Sequence, residues 1–255
     1  MALGRTLSTL LWLPVNLAQV VFTALWSAFW ISIALAVSAL RGPRPALALA
    51  RRAWAPGLLA AAGARLVVTG AEQVDFGRAH FFVANHQSWL DVPALFRALP
   101  VPLHFLAKRE LARVPFLGGY IRAMGMVFVE REALRAARQS VGAAGALLVS
   151  GRSVLSFPEG TRSRGGALGP FKSGGFGAAL EAGVSVVPVA VVGTGRVLPR
   201  DGFRVRPGRI EVRIGAPIEV APFAPHDRAG LARAAEAAVE RLLGGESAAR
   251  RGGSG

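Results

Sequence analysis

The chain has 255 residues, no cysteine and a formal net charge of +15, and 52% of its residues are hydrophobic. The lack of cysteine excludes disulfides, thiolate zinc sites and cysteine nucleophiles. A basic charge indicates polyanionic partners, and together with this hydrophobic content it favours a membrane surface over nucleic acid.

The N-terminal segment is apolar over an unusual length. No charged residue occurs from Thr6 to Leu40, whereas about 20 apolar residues suffice to span a bilayer. We expect residues 1–40 to form a hydrophobic helical membrane anchor. It is either a transmembrane helix near 20–40 preceded by an interfacial helix, or a hairpin that enters one leaflet. The alternatives are buried core helices and a signal peptide, whose apolar core is shorter, about 7–15 residues.

Positive charge follows the apolar segment rather than preceding it. Only Arg5 lies before the segment, whereas Arg41, Arg44, Arg51 and Arg52 come soon after it. If the segment spans a bilayer, this bias places the main body on the cytoplasmic side of the inner (cell) membrane. The same arginines are suited to anionic lipid head groups.

Beyond residue 52, short β-rich runs alternate with helical stretches, and 209–220 alternates like a half-exposed pair of strands. This order predicts an α/β fold, a single mixed sheet flanked by helices, in one body over 53–243. The tail 244–255 is poor in apolar residues and is predicted to be disordered. The other predicted strands are 65–70, 80–85, 103–107, 125–130, 153–157 and 185–193, and the predicted helices are about 88–99, 131–150, 174–183 and 227–243.

The stretch NHQSWLD, residues 85–91, carries the first polar cluster. His86 follows a predicted strand, at the sheet edge where open α/β sheets hold their sites. Asp91 falls in the first turn of the next predicted helix and can point back to the imidazole. A carboxylate on one ring nitrogen leaves the other free to take a proton from a hydroxyl. Alternatively, His86 caps the helix and Asp91 is a first-turn acid favoured by the helix dipole.

The stretch FPEGTRSR, residues 157–164, follows another predicted strand. Its proline and glycine favour a turn, and Glu159 can accept hydrogen bonds that hold the loop. Arg162 and Arg164 carry guanidinium groups, which bind phosphate through two parallel hydrogen bonds. A basic surface turn is the alternative interpretation.

A third basic residue, Arg131, stands where the strand 125–130 is predicted to end. It can reach the same crevice, or it can simply begin a solvated helix. The sequence offers no metal-ligand spacing, and no serine or lysine nucleophile has a convincing base partner. These patterns together favour direct attack by a substrate hydroxyl, activated by His86, on an acyl carbonyl.

These motifs resemble those of the glycerolipid acyltransferase family, typified by bacterial lysophosphatidate acyltransferases. The family motif NHxSxxD is matched by 85–91, and FPEGTRSR is matched letter for letter by 157–164. A block of glycine, apolar residues, an acid and arginine corresponds to 125–131, with Glu130 where aspartate is common. A VPV strand corresponds to 187–189, so the resemblance covers roughly 65–220.

The resemblance implies transfer of a fatty acyl group from acyl-CoA or acyl carrier protein to the free hydroxyl of a lysophospholipid. The expected acceptor is 1-acylglycerol-3-phosphate, which gives phosphatidic acid. His86 would be the general base, oriented by Asp91. No metal and no cofactor are implied beyond the thioester donor. The implied substrate-binding residues, with Arg162 and Arg131 on the acceptor phosphate, are Arg131, Glu159, Gly160, Thr161, Arg162 and Arg164.

Three alternatives stay open from the sequence. Relatives that acylate other lyso-lipids, such as lyso-ornithine lipid, share these motifs. A non-catalytic membrane lipid-binding protein would use the same basic cleft, but it has no chemical need for the His86–Asp91 pair. Nucleic-acid binding predicts aromatic residues interleaved with the basic ones, and the basic loops lack them.

Overall fold

The computed structural model describes residues 2–129, 134–163, 167–200 and 204–251. The chain starts with α1 (Ala2–Arg41), α2 (Pro43–Leu49), a π-helical turn (Ala50–Trp54) and α3 (Ala55–Ala61). The apolar segment is therefore one continuous helix, with Pro14 inside it, rather than two helices or a hairpin. The chain turns back at Gly42, whose φ of 83° suits glycine.

A seven-stranded sheet forms the centre of the described chain, in the order β1-β7-β6-β2-β5-β3-β4. Of the paired strands, only β6 and β7 run antiparallel, so the sheet is mixed as predicted. The strands are β1 (Ala64–Thr69), β2 (Phe81–Ala84), β3 (Leu103–Lys108), β4 (Val127–Val129), β5 (Ser153–Ser156), β6 (Val186–Val192) and β7 (Gly208–Ile214).

Helices cover both faces of the sheet. They are α4 (Asp91–Ala98), α5 (Leu117–Ala123), α6 (Leu134–Val149), α7 (Gly177–Ala182), α8 (Thr194–Val197) and α9 (Arg228–Arg251). In β2, Phe82 and Ala84 face the core beneath α1 to α5, and Phe81 and Val83 face the core beneath α6, α7 and α9. Both faces of β2 are buried, so side chains that follow β2 become accessible only beyond its C-terminal end.

Three features differ from the sequence prediction. The helix predicted from 88 begins only at Asp91, because the Asp91 carboxylate binds the N–H groups of Gln87 and Ser88 in a loop. The pair of strands predicted over 209–220 is one strand, β7, followed by a single bridge at Ile218. Pro217 precedes the bridge and has no N–H to extend the pairing. Helix α9 continues into the predicted tail 244–255, and the domain limits themselves stay predictions.

Candidate active site

An imidazole–carboxylate pair lies at the C-terminal end of β2. The Nδ1 atom of His86 is 2.7 Å from Oδ2 of Asp91. The side chain of Asp91 is fully buried, and that of His86 is 16% exposed. The same Oδ2 atom accepts the backbone N–H groups of Gln87 at 2.7 Å and Ser88 at 2.9 Å. Three donors thus fix the carboxylate, and Nε2 of His86 has no hydrogen bond within the described residues.

The side chain of Asn85 anchors this loop to the sheet. Its amide donates to the carbonyl of Val191 at 2.9 Å and accepts the Val191 N–H at 2.7 Å. Asn85 is buried, so it replaces a backbone peptide unit and extends the pairing of β2 with β6. His86 is therefore the first residue after Asn85, which is fixed to β6.

The loop after β5 holds His86 from the other side. The imidazole of His86 stacks on the Phe157 ring, with 4.1 Å between centroids and 17° between planes. The backbone N–H of His86 donates to Oε1 of Glu159 at 2.6 Å, and its carbonyl accepts the Ser163 N–H at 2.7 Å. The two sequence motifs thus form one hydrogen-bonded unit.

Glu159 stabilises this unit by accepting backbone hydrogen bonds from two of its segments. It is buried, and its Oε2 accepts the Gly169 N–H at 2.9 Å. Burial raises the pKa of Glu159, although the hydrogen bonds from the backbones of His86 and Gly169 act in the opposite direction. Gly160 turns the chain with a φ of 78°. Thr161 is exposed, and its hydroxyl donates to the Arg162 carbonyl at 3.2 Å.

An aromatic ring and a backbone carbonyl hold the side chain of Arg162. Its guanidinium carbon lies 4.7 Å from the centroid of Trp89, and its Nη1 donates to the Arg200 carbonyl at 3.2 Å. In return, the Arg200 guanidinium donates to the Arg162 carbonyl. Trp89 belongs to the same loop as His86, so this cation–π contact holds the Arg162 guanidinium against that loop.

The structure brings most of the predicted site residues to one edge. His86, Asp91 and the segment 159–162 meet there, as described above, whereas Arg131 and Arg164 lie outside the described residues. Sequence reasoning missed Trp89, Phe157 and Arg200 as partners of the site. The first two lie within the quoted motifs, but no pattern singled out Arg200. Within the described residues, no group of three or more His, Asp or Glu side chains is placed to hold a metal ion.

Comparisons with known proteins agree with this geometry. A sequence model of the acyltransferase family matches residues 65–192. A chloroplastic 1-acyl-sn-glycerol-3-phosphate acyltransferase from Arabidopsis thaliana is 38% identical over 138 residues, which are 54% of this chain and 38% of that protein. A 1-acyl-sn-glycerol-3-phosphate acyltransferase from Salmonella typhimurium is 30% identical over 174 residues, covering 68% of this chain and 70% of that protein.

A solved structure is similar along almost the whole chain. It is the crystal structure of the 1-acyl-sn-glycerophosphate acyltransferase PlsC from Thermotoga maritima. The TM-score is 0.74 at 28% identity, over 89% of this chain and 96% of that one. The fold and the site define an α/β protein with a partly buried imidazole–carboxylate pair at the C-terminal end of β2. The chain belongs to the acyltransferase family.

Proposed function

We propose that the protein transfers a fatty acyl group to the free hydroxyl of 1-acylglycerol-3-phosphate and so makes phosphatidic acid. The relatives named above carry this acceptor in their names. The observation that carries the proposal is the 2.7 Å contact between His86 Nδ1 and the buried Asp91 carboxylate, while Nε2 has no hydrogen-bond partner in the part of the chain that the structure describes. A protein that only binds lipid has no chemical use for this pair.

The proposed reaction is a direct acyl transfer. Nε2 of His86 takes the proton of the acceptor hydroxyl while that oxygen attacks the thioester carbonyl of acyl-CoA or acyl carrier protein. Asp91 holds the Nδ1–H and stabilises the imidazolium that forms. When the tetrahedral intermediate collapses, the carbon–sulfur bond breaks and the imidazolium proton passes to the leaving thiolate. The thioester donor is the only co-substrate in this scheme.

Arg162 is suited to the phosphate of the acceptor. A guanidinium forms paired hydrogen bonds with phosphate oxygens, and the contacts with Trp89 and the Arg200 carbonyl fix its position in advance. In this proposal Gly160 and Thr161 shape the loop beside the phosphate, and Arg131 and Arg164 add positive charge from segments outside the described residues. In this proposal the buried Glu159 shapes the acceptor site by holding the loop through the backbone N–H groups of His86 and Gly169.

The proposed location is the cytoplasmic surface of the cell membrane. Residues Trp12–Arg41 of α1 form a helix that is long and apolar enough to cross a membrane, by length and composition alone. Several large side chains of α1 are exposed, among them Leu25 at 67% and Leu17 at 62%. If α1 crosses the bilayer, the arginines that follow it favour the cytoplasmic side. Lipid acceptors reside in the bilayer, so an exposed apolar helix brings the site to its substrate.

The activity is tested with purified protein in detergent, radiolabelled acyl-CoA and either lysophosphatidate or lyso-ornithine lipid. We expect labelled phosphatidate from the wild type and none from the His86→Ala variant, which should still bind vesicles. Label only in the ornithine product would overturn the proposed acceptor. Equal turnover by the His86→Ala variant would overturn the mechanism.

The role of Arg162 has its own test. The Arg162→Ala variant loses a charged hydrogen bond worth about 1.5–3 kcal/mol, so the acceptor KM should rise about 10- to 150-fold. The donor KM should stay close to that of the wild type. Arg233→Ala, an exposed change on α9, is the matched control. Equal changes in both KM values would contradict phosphate binding by this residue.

A further inference from the structure

A second basic site lies at the N-terminal ends of the parallel strands, opposite the end that carries His86. A cavity of about 200 Å³ is bounded by the residues that lead into β2, β3 and β5 and by the start of α2. These strands are parallel, so their N-terminal ends lie one strand length from the active site. For the four residues of β5 this is about 13 Å. The proposed acyl transfer uses none of the residues that line this cavity.

Three arginines give the cavity its charge. Arg44 and Arg78 are exposed, Arg152 is partly buried, and all three line the cavity. No carboxylate is among the described lining residues. The side chains of these three arginines form no hydrogen bond or ion pair with a described residue. The carboxylate nearest to Arg78 in the sequence is that of Asp75. It does not line the cavity, and it accepts the Gly77 N–H at 2.9 Å.

The floor of the cavity is a buried imidazole. His104 is 2% exposed, and its Nδ1 lies 3.3 Å from the Ser153 carbonyl. Burial lowers the pKa of His104, the positive charges of Arg152 and Arg44 lower it further, and the hydrogen bond to Ser153 opposes them. The imidazole is therefore neutral at pH 7, and the positive charge of the cavity resides on the three guanidinium groups.

We propose that this cavity binds a phosphate group. Guanidinium groups without carboxylate partners form paired, charge-assisted hydrogen bonds with phosphate oxygens. A cavity of about 200 Å³ has room for a phosphate group. The phosphate comes from a lipid head group or from a soluble phosphate ester.

The position of the cavity favours the lipid source. Arg44 lies three residues beyond the end of the apolar helix α1, and Leu40 at that end is 83% exposed. When α1 contacts a bilayer, its basic C-terminal end reaches the level of the head groups. The cavity then binds one phospholipid at the end of α1, while the active site binds another at the far edge of the sheet.

The test compares two pairs of substitutions that remove equal charge. Arg44→Ala with Arg78→Ala removes two exposed cavity arginines, and Arg228→Ala with Arg233→Ala removes two exposed arginines of α9. Binding to vesicles of neutral lipid with and without 30 mol% anionic phospholipid is measured by sedimentation. We expect the cavity pair to lose about fivefold in anionic-vesicle binding per arginine. The α9 pair and activity on detergent-dispersed substrate should be unchanged.

Inorganic phosphate distinguishes the two sources. Calorimetric titration is done on Arg162→Ala protein, so that the active-site arginine does not contribute. If the Arg44→Ala, Arg78→Ala double variant binds inorganic phosphate at least tenfold more weakly, the site is assigned to soluble phosphate esters. A deficit confined to anionic vesicles assigns it to lipid. If the cavity pair behaves like the α9 pair in both measurements, the proposal is wrong, whatever the outcome for acyl transfer.

Discussion

At the scale of single residues, the site depends on one oxygen atom. Oδ2 of Asp91 receives hydrogen bonds from the imidazole and from two backbone N–H groups, whereas Oδ1 has no partner within the described residues. The backbone donors hold the carboxylate in place whether or not the imidazole is charged. The geometry of the proposed base is therefore fixed before substrate binds.

The Asp91→Asn variant should lose kcat by about 10⁴-fold, as expected when an amide replaces the carboxylate that orients a catalytic histidine. The amide no longer stabilises the imidazolium, and its NH₂ group opposes backbone donors. Acyl-transfer kinetics measure the loss, and circular dichroism checks the fold. The control is Asp75→Asn at an exposed position. A variant that retains more than a tenth of the wild-type kcat would contradict the role of Asp91.

The buried Glu159 predicts a pH dependence of stability. Its pKa in the folded protein is raised above the ordinary 4.5, so the folded state binds the proton more tightly than the unfolded chain. Its contribution is therefore fully present below pH 4.5 and is lost as the pH rises through the folded-state pKa.

The experiment is urea unfolding of the wild type and the Glu159→Gln variant, at pH values from below 4.5 up to 7. The wild type should lose free energy of unfolding relative to the variant, by about 1.4 kcal/mol for each unit by which the pKa is raised. The exposed Glu72→Gln substitution is the control. A difference that stays constant with pH, or that grows as the pH rises, would contradict the raised pKa.

At the scale of elements, hydrogen bonds connect the three loops that form the site. The loop after β2 is tied to the loop after β5 through both backbone groups of His86. It is also tied to the segment after α8, because the Ser88 hydroxyl donates to the Leu198 carbonyl at 2.7 Å. Trp89 and Arg162 connect the same segments on the outside. A change in one loop is therefore expected to alter the position of groups on the others.

Trp89→Ala tests this coupling. Its ring supports the Arg162 guanidinium through a cation–π contact, worth about 0.5–2 kcal/mol. We expect the acceptor KM to rise about 2- to 30-fold with little change in kcat or in the donor KM. Trp89→Phe should restore part of the loss, because phenylalanine keeps an aromatic face. If the phenylalanine variant is as impaired as the alanine variant, Trp89 has a packing role only.

The sequence predicted the strands and the order of the site motifs, because apolar runs and turn residues are local signals. The His86–Asp91 contact was predictable too, since a loop and one helical turn separate the two residues. The link from Arg162 to Arg200 joins distant segments, and no spacing rule marks such a contact. The late start of α4 was missed for a similar reason. A buried carboxylate that binds loop N–H groups overrides the helix signal from Ser88.

At the scale of the whole molecule, α1 packs along the body that carries the site. Trp26 donates to the Trp54 carbonyl at 3.0 Å, and the Trp54 indole donates to the Ser27 hydroxyl at 3.1 Å. Nearer the start of α1, the Arg204 guanidinium lies 4.5 Å from the Trp12 ring centroid. One face of α1 thus contacts the body from the site edge onward, and the opposite face is exposed and apolar.

The exposed face of α1 should control membrane binding without affecting chemistry. Leu25 is 67% exposed there, whereas Val149, at the end of α6, is 73% exposed elsewhere on the molecule. Burying a leucine in the bilayer is worth about 1.5–3 kcal/mol, so Leu25→Glu should lower vesicle partitioning at least about tenfold. Val149→Glu adds the same charge and should leave partitioning unchanged. Both variants should retain kcat in detergent, because neither residue contacts the His86 loop. Equal partitioning of the two variants would show that another surface binds the membrane.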